Sequence, residues 1–312
     1  MRSASASAPG KFVVLGEHAV VYGKPAVALA IDRRFRCTVS DSDRLLLNGM
    51  PEDLSLHPHM RHVLKANGVD SISIVTESDL PSGSGLGSSA ALSAALSCAV
   101  RTMLGRPADE KDIINEAYEA EFGAQGIGSP MDTSASVHGG GIGVNIPCEG
   151  EPLWTIERNG NRWNVCDVYA PEMTFVVGYT GIKALTGPLV EKVRRYKDRN
   201  SFAKDIVEEI GSVTLEGADA LRRNDRVKLG RLMTADHKLL SILGVSSPEL
   251  NRLVDAAAEY SYGSKLTGAG GGGSMIALTD RPEKVCETIR LHGGNPMIVK
   301  TGVPGVTAGD KI

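Results

Sequence analysis

A run of small residues that leads directly into a helical pattern is the feature that most constrains this chain. Residues 81–91 read Pro-Ser-Gly-Ser-Gly-Leu-Gly-Ser-Ser-Ala-Ala. The pattern that follows predicts a helix over 88–104, because its apolar residues recur at steps of four, three and four: Leu92, Leu96, Ala99 and Met103. The first turn of a helix presents unpaired N–H groups and the positive end of the helix dipole. The loop therefore predicts an anion site, of the kind that binds a phosphorylated ligand.

Other phosphate-binding motifs can be tested against the same sequence. A Walker A loop needs Gly-Lys followed by Ser or Thr, whereas the Gly-Lys pairs at 10–11 and 23–24 precede Phe and Pro. The His-Arg-Asp and Asp-Phe-Gly strings of protein kinases do not occur. A dinucleotide fingerprint fails because Ser88 stands where its third glycine belongs. A glycine-rich turn with Ser88 as a helix cap is the competing structural interpretation.

Composition limits the class of protein. The 312 residues allow one large domain or two ordinary ones, and the net charge of −3 gives no basic excess for nucleic acid. We expect no membrane segment, because the longest apolar stretch carries serines and Arg101, and residues 1–8 have no hydrophobic signal core. These features predict a cytoplasmic protein. The five cysteines include no CxxC pair, so neither a disulfide framework nor a zinc site is predicted.

Strand and helix patterns occur in both halves of the chain, which predicts a mixed α/β (α+β) fold divided near residue 167. A helix is predicted over 109–122 with Gly123 as its stop, followed by a glycine-dense loop or second tight site over 123–145. A long helical stretch ends near Leu243, and three positions predict breaks or near-breaks in it: Asn200, Gly211 and Asn224. The tail from Gly302 has no periodic pattern, and we expect it to be mobile.

Phosphoryl transfer requires a phosphate cradle, a metal that neutralises charge, a group that orients or deprotonates the hydroxyl, and a cation. Mg²⁺ prefers oxygen ligands and keeps several waters, so the Ser88 hydroxyl and the Glu121 carboxylate suffice. Asp132 stands in a tight loop, and Lys11 precedes a strand. Taken singly, these residues read as a helix cap, a solvated glutamate, an Asx turn and a surface lysine. Together they indicate a site for phosphoryl transfer.

Three motifs identify the family that the chain resembles. They are Pro9-Gly10-Lys11 with 16–23 (Gly-Glu-His-Ala-Val-Val-Tyr-Gly), the loop 81–91, and 265–273 (Lys-Leu-Thr-Gly-Ala-Gly-Gly-Gly-Gly). With them the chain resembles the GHMP kinases, and the resemblance covers nearly its whole length. Within this superfamily the first motif looks like that of the mevalonate kinases, and the segment 126–133 is similar to that of the archaeal-type enzymes. Galactokinases carry Asp where this chain has Val20, and homoserine kinases lack the Glu-His pair.

The resemblance implies a two-domain fold, with an N-terminal domain over 1–167, a C-terminal domain over 168–312 and the active site in the cleft between them. It implies ATP and Mg²⁺, with Ser88 and Glu121 on the metal. The residues that would wrap the ATP phosphates are Pro81, Ser82, Gly83, Ser84, Gly85, Leu86, Gly87, Ser88, Ser89, Ala90 and Ala91.

The family also implies the catalytic and substrate-binding residues. Asp132 would face the C5 hydroxyl of mevalonate as general base, with Lys11 beside it to stabilise charge on the transferred phosphoryl group. Whether Asp132 is the true base or Lys11 the main activator stays open. The glycine loop 265–273 would close over the site from the second domain. The residues implied to touch substrate are Glu17, His18, Thr180, Gly268 and Ala269.

The implied activity is ATP-dependent phosphorylation of (R)-mevalonate to 5-phosphomevalonate in the mevalonate route to isoprenoids, by a homodimer as is common in the family. One alternative is a GHMP kinase that acts on another small alcohol, such as phosphomevalonate or a sugar. A second is a catalytically dead binding protein of this fold. Such a protein would be expected to have lost Lys11, Glu121 or Asp132, and all of them stand here.

Overall fold

The computed structural model of the protein describes residues 2–55, 57–126, 129–158, 160–184 and 186–309. Its helices are α1 (Pro58–Asn67), α2 (Ser88–Met103), α3 (Glu110–Gln125), α4 (Met131–His138), α5 (Thr186–Arg199), α6 (Ser201–Arg222), α7 (Arg226–Ile242), α8 (Pro248–Ala258) and α9 (Pro282–Leu291). A short 3-10 helix covers Ala19–Tyr22.

The strands are β1 (Ser3–Leu15), β2 (Ala26–Ser40), β3 (Leu46–Leu47), β4 (Met50–Pro51), β5 (Ser73–Ser78), β6 (Gly141–Val144), β7 (Trp154–Arg158), β8 (Asn161–Val168), β9 (Thr174–Tyr179), β10 (Gly263–Thr267), β11 (Ser274–Leu278), β12 (Asn295–Lys300) and β13 (Thr307–Ala308). The mixture of helices and strands confirms the predicted fold class.

The described strands form two sheets. The first runs β4-β3-β5-β2-β6-β8-β7, with β1 paired to β2 and β13 paired to β1, and the second runs β10-β11-β9-β12. Every pair in them is antiparallel except β3 with β5. The chain moves from the first sheet to the second between β8 and β9, and β13 brings its end back to the first.

One apolar core reaches across both sheets. The Phe12 ring of β1 lies 4.7 Å from the Phe175 ring of β9, and both side chains are fully buried. The helix α6 packs on β1, where a side chain at Gly217 would meet the Leu15 methyl at 2.0 Å. Close packing of this kind fixes the two sheets relative to each other, so residues on β1 keep a constant position with respect to β10 and β11. Among the described residues, no helix has both the length and the apolar character needed to cross a bilayer.

Two glycines that were predicted as helix breaks lie inside helices. Gly123 does not end α3, which continues to Gln125. Its role is packing: the His62 ring lies 2.3 Å from where a Cβ of residue 123 would stand, so a side chain there would collide with it. Gly211 lies buried within α6. The breaks at Asn200 and Asn224 are confirmed, since α5, α6 and α7 are separated there.

Three other expectations were wrong. The stretch 123–145, predicted as a loop or a second tight site, contains the helix α4, which was not predicted. The tail has regular structure in its described part, where Thr307 and Ala308 pair with Ser7 and Ala6 of β1. Cys148 and Cys166 form a disulfide, with their Cα atoms 5.4 Å apart, because β6 and β8 are neighbouring strands and hold the two thiols together across 18 residues of chain.

Candidate active site

The loop 81–91 ends at the N-terminus of α2. Gly87 is the N-cap residue, with φ of 73°, and no side chain caps the helix. The Ala91 N–H donates to the Gly87 carbonyl at 2.9 Å, so the N–H groups of residues 88–90 precede the first intrahelical hydrogen bond. This geometry rules out Ser88 as the helix cap. It leaves the anion site that the sequence predicts.

Strand β1 lies directly against this loop. The Lys11 N–H donates to the Leu86 carbonyl at 2.9 Å. A side chain at Gly10 would come within 2.8 Å of the same carbonyl, so only glycine permits this approach. The Lys11 stem runs over Gly87, where an added Cβ would meet its Cγ and Cε at 3.0 Å. Lys11 is therefore fixed at the start of α2.

The Lys11 ammonium pairs with Asp132, as the family resemblance implies. The Nζ–Oδ1 distance is 2.9 Å, and the Nζ also donates to the Gly85 carbonyl at 3.3 Å. The Lys11 side chain is 3% exposed, whereas that of Asp132 is 39% exposed. Asp132 lies in the first turn of α4, after Pro130. The pair thus holds a buried cation behind a carboxylate that solvent and small molecules can reach.

Glu121 of α3 also reaches the start of α2, but through Ser89. The Ser89 hydroxyl donates to Glu121 Oε1 at 3.0 Å, and the other carboxylate oxygen lies 3.2 Å from His59 Nε2. The structure therefore places the carboxylate beside Ser89, the residue that follows Ser88. Sequence reasoning paired Glu121 with Ser88; it included Ser89 in the loop 81–91 but foresaw neither the Ser89 contact nor the His59 contact of Glu121. Neither has a signal in the sequence, because the contacts depend on how α1 and α3 pack.

Glu17 and His18 occupy the turn after β1. His18 has φ of 61°, a left-handed conformation that is uncommon for a residue with a side chain. Its Nε2 lies 2.9 Å from the Ala269 carbonyl, and because a carbonyl only accepts, Nε2 is the protonated nitrogen. Burial lowers the pKa of His18, an effect that the Ala269 carbonyl and the Glu17 charge oppose. This imidazole is therefore neutral near pH 7.

The glycine loop 265–273 is fastened to the first sheet. The Thr267 hydroxyl accepts from the Val13 N–H and donates to the Val13 carbonyl, both at 3.0 Å. At Gly268, which has φ of 80°, a Cβ would lie 4.0 Å from the Gly85 Cα, so the two glycine loops face each other. Ser274, just after the loop, donates to the Ser84 carbonyl at 2.8 Å.

Thr180 lies at the far end of this loop. Its N–H and hydroxyl both donate to the Gly273 carbonyl, at 2.9 and 2.8 Å. Its hydroxyl also accepts from the Ile182 N–H at 3.2 Å. The turn that follows carries Lys183, whose stem lies against Gly83, with Cγ 2.9 Å from where a Cβ would stand. Lys183 is a further basic residue at the loop 81–91, called here the phosphate loop, and sequence reasoning missed it.

Two buried partners of the predicted residues were also missed. Lys265 is fully buried, and its Nζ bonds Glu17 Oε1. The Asp236 Oδ2 of α7 lies 3.3 Å from the same Nζ. The sequence includes Lys265 in a motif but does not show its burial, and Asp236 has no motif around it. The structure thus joins the three motifs: Lys11 to the phosphate loop, His18 and Glu17 to the glycine loop, and one glycine loop to the other.

Comparison with known proteins gives a consistent result. Residues 57–140 match the family model described as GHMP kinases N terminal domain, and residues 218–294 match GHMP kinases C terminal. The mevalonate kinase of Pyrococcus abyssi is 32% identical, over 96% of each chain. That of Methanothermobacter thermautotrophicus is 35% identical, over 88% of this chain and 89% of its own.

A solved structure shares the fold. The crystal structure of L. major mevalonate kinase in complex with R-mevalonate superposes with a TM-score of 0.82, at 24% identity. The match covers 95% of this chain and 94% of that one. The sheets and helices of this chain are therefore arranged as in that enzyme.

Proposed function

The chain belongs to the mevalonate kinase family of the GHMP kinases, and from its site we propose that it transfers the γ-phosphoryl group of ATP to the C5 hydroxyl of (R)-mevalonate. The product is 5-phosphomevalonate. The observation that carries this proposal is the Lys11–Asp132 ion pair of 2.9 Å beside the start of α2. That pair sets a base and a cation next to a phosphate-binding helix terminus.

The phosphates of ATP are bound by the loop 81–91. Its free N–H groups at residues 88–90 and the positive end of the α2 dipole stabilise negative charge. Lys11 adds a full positive charge from behind the loop, and Lys183 adds a second from the turn after β9. A nucleoside triphosphate fits this arrangement because positively charged groups and N–H donors that stabilise its negative charge are already in position.

The transfer step needs a deprotonated hydroxyl in line with the γ-phosphorus. The C5 oxygen forms a bond to that phosphorus as the bond to the β–γ bridging oxygen breaks, and ADP leaves with that oxygen. Asp132 accepts the hydroxyl proton, since its carboxylate is the exposed member of the ion pair. Lys11 stabilises charge on the transferred group.

Magnesium is the metal that the donor chemistry fits. The Ser88 hydroxyl of α2 and the Glu121 carboxylate, which contacts the neighbouring Ser89, are oxygen donors of the kind that Mg²⁺ prefers, and they would hold the ion together with ATP phosphates and water. Among the described residues no group of three or more His, Cys, Asp or Glu could hold a metal alone, so a shell shared with the nucleotide suits the site better than a protein cage. When bound, the metal neutralises phosphate charge.

Mevalonate is proposed to lie against the Glu17–His18 turn and the glycine loop at Gly268 and Ala269. The neutral His18 ring is oriented by the Ala269 carbonyl. The R-mevalonate held by the L. major enzyme supports this class of substrate. Thr180 is a weaker contact in this proposal, because its hydroxyl is already bonded to Gly273.

Three further proposals concern the whole protein. The division into domains 1–167 and 168–312 is supported by the passage from the first sheet to the second after β8, although β13 returns to the first sheet. A homodimer stays a prediction from the family resemblance, and a cytoplasmic location stays a prediction from the sequence.

The experiment that tests the function is product identification with wild type and Asp132→Asn. Wild type is expected to convert ATP and mevalonate to ADP and a phosphate ester at C5, seen by phosphorus NMR coupling to the C5 protons. Asp132→Asn removes both base and charge, and kcat should fall by roughly 10²- to 10⁴-fold. ATP binding, measured by calorimetry, should change little. An Asp132→Asn enzyme with near wild-type turnover would contradict the assignment.

A further inference from the structure

Glu17, Asp236 and Lys265 form a group of charged side chains sealed from solvent, called here the buried charge cluster. Their exposed fractions are 3%, 0% and 0%. Lys265 Nζ bonds Glu17 Oε1 and lies 3.3 Å from Asp236 Oδ2. The members come from the turn after β1, from α7 and from β10. A pair would satisfy the usual rule for buried charges, so the third member needs a reason.

The charges of the cluster do not balance when all three groups are ionised. Two carboxylates and one ammonium leave a net negative charge in a site without solvent, which is costly. Both oxygens of Asp236 and Oε2 of Glu17 have no hydrogen-bond partner among the described residues. An ionised carboxylate can only accept, whereas a protonated one can donate. One proton therefore removes the excess charge and supplies the missing donor.

We propose that Asp236 holds this proton in the folded protein and acts as a positioning residue, which through Lys265 fixes Glu17 and the adjoining His18 turn of the substrate site. The proton belongs on Asp236 because Glu17 takes the shorter contact with the Lys265 ammonium. The protonated Asp236 can then donate to the Glu17 carboxylate. The positioning part of this inference rests on the proposed function, whereas the proton does not.

The other groups around Asp236 support the same proton count. Burial raises the pKa of Asp236 to about 8, with the Glu17 charge adding to the rise and the Lys265 charge opposing it. His237, the next residue, accepts the Leu266 N–H through Nδ1, and burial lowers its pKa to about 4. Burial also lowers the pKa of His18. Both imidazoles are neutral near pH 7, so the cluster with one proton carries no net charge.

Two contacts join the glycine loop 265–273, which carries Lys265 of the cluster, to the Glu17–His18 turn of the substrate site. One is the Glu17–Lys265 ion pair, and the other is the His18–Ala269 hydrogen bond. They join adjacent residues of the turn to positions 265 and 269 of the same glycine loop. Because His18 has the strained φ of 61°, its turn keeps that shape only if the surroundings hold it. Asp236 completes the set of contacts that hold Lys265.

The test compares Asp236→Asn, which mimics the protonated acid, with Asp236→Ala, which deletes it. The folded pKa of Asp236 lies above its unfolded value of about 3.9, so the folded state binds more protons between about pH 4 and 8. The stability that this proton gives is complete at low pH and is lost as pH rises through that window. We therefore expect Tm of Asp236→Asn minus Tm of wild type to increase from pH 5 to pH 8.

Steady-state kinetics tests the positioning role. Asp236→Ala should raise KM for mevalonate by about tenfold, as expected for a buried charge pair left without its partner, with little change in KM for ATP. Asp236→Asn should restore most of that loss at pH 7. A purely structural residue would lower the amount of folded enzyme without changing either KM.

Each outcome decides one part. A Tm difference between Asp236→Asn and wild type that does not vary with pH would overturn the proton on Asp236. An unchanged KM for mevalonate in folded Asp236→Ala, or a loss that Asp236→Asn does not restore, would overturn the positioning role. If Asp236→Ala does not fold, KM for mevalonate is instead compared between Asp236→Asn and wild type from pH 6 to 9. The KM of wild type should rise relative to that of Asp236→Asn as Asp236 ionises. If the two KM values change with pH in the same way, the positioning role is contradicted. Should wild type fail to turn over mevalonate, the proposed function fails, while the Tm profiles still test the proton.

Discussion

At the scale of single residues, the site depends on which side chains are buried and held by hydrogen bonds and which are accessible to solvent. Lys11 is 3% exposed and held by the Gly85 carbonyl, whereas Asp132 is 39% exposed. The hydrogen bond to Gly85 holds the ammonium against the loop 81–91, and the ion pair places the same ammonium beside Asp132. The family resemblance implied that these two residues meet, because both lie in segments of the sequence that carry the resemblance. The sequence could not predict Lys265 with Asp236, because burial of a charge depends on packing between distant elements.

Ser88 and Ser89 are adjacent residues with different expected roles. Ser89 donates to Glu121 at 3.0 Å, which leaves Ser88 as the hydroxyl proposed for Mg²⁺. We expect Ser88→Ala to raise the Mg²⁺ concentration for half-maximal activity by about tenfold, since one oxygen ligand is lost. Ser89→Ala is the matched control: it frees Glu121 from a hydrogen bond but keeps both proposed ligands, so the Mg²⁺ requirement should change less. Equal effects of the two substitutions, or no effect of Ser88→Ala, would contradict the ligand assignment.

At the scale of elements, α2 and its loop were predicted almost completely, and the reason is local. The spacing of apolar residues predicts the helix over 88–104, and α2 covers Ser88–Met103. Glycines lead to wrong predictions of helix ends where their role is to allow close packing. Gly123 accommodates His62, and Gly211 lies buried within α6, and neither ends a helix. A glycine that makes room for a neighbour looks in the sequence like a glycine that ends an element.

Gly87 both begins a helix in a left-handed conformation and makes room for a neighbouring side chain, so its substitution gives a prediction at the scale of elements. Gly87→Ala costs about 1 kcal/mol for the left-handed φ of 73°, and its methyl group also meets the Lys11 stem at 3.0 Å. We expect a Tm loss together with a lower kcat and a higher KM for ATP, because Lys11 is displaced from the phosphate loop.

Gly105→Ala is the matched control for Gly87→Ala. Gly105 follows α2 with φ of 67° and has nothing within 4 Å of a Cβ, so it shares the backbone strain without the collision. It should lower Tm by a similar amount and leave kinetics alone. If Gly87→Ala loses only stability, in the same measure as Gly105→Ala, the contact with Lys11 does not control phosphate binding.

At the scale of the whole molecule, long-range pairing decides what the sequence could not. The short β13 pairs with β1 across some three hundred positions, and its residues carry no strand pattern of their own. The Cys148–Cys166 disulfide likewise depends on β6 and β8 being neighbours. In contrast, the family resemblance alone implies that the three motifs meet in one site. The structure adds how it is done: β1 carries Lys11 to one glycine loop, and Thr267 fastens the other loop to β1.

The measurement that tests the central claim most directly is ADP release by the wild-type chain with four alcohols, each at saturating ATP and Mg²⁺. Mevalonate, phosphomevalonate, galactose and homoserine are compared by kcat/KM in one coupled assay. The Lys11–Asp132 pair and the Glu17–His18 turn predict that mevalonate exceeds each other alcohol by at least about a hundredfold. A higher kcat/KM with any of the other three, or no ADP release with mevalonate, would contradict the account.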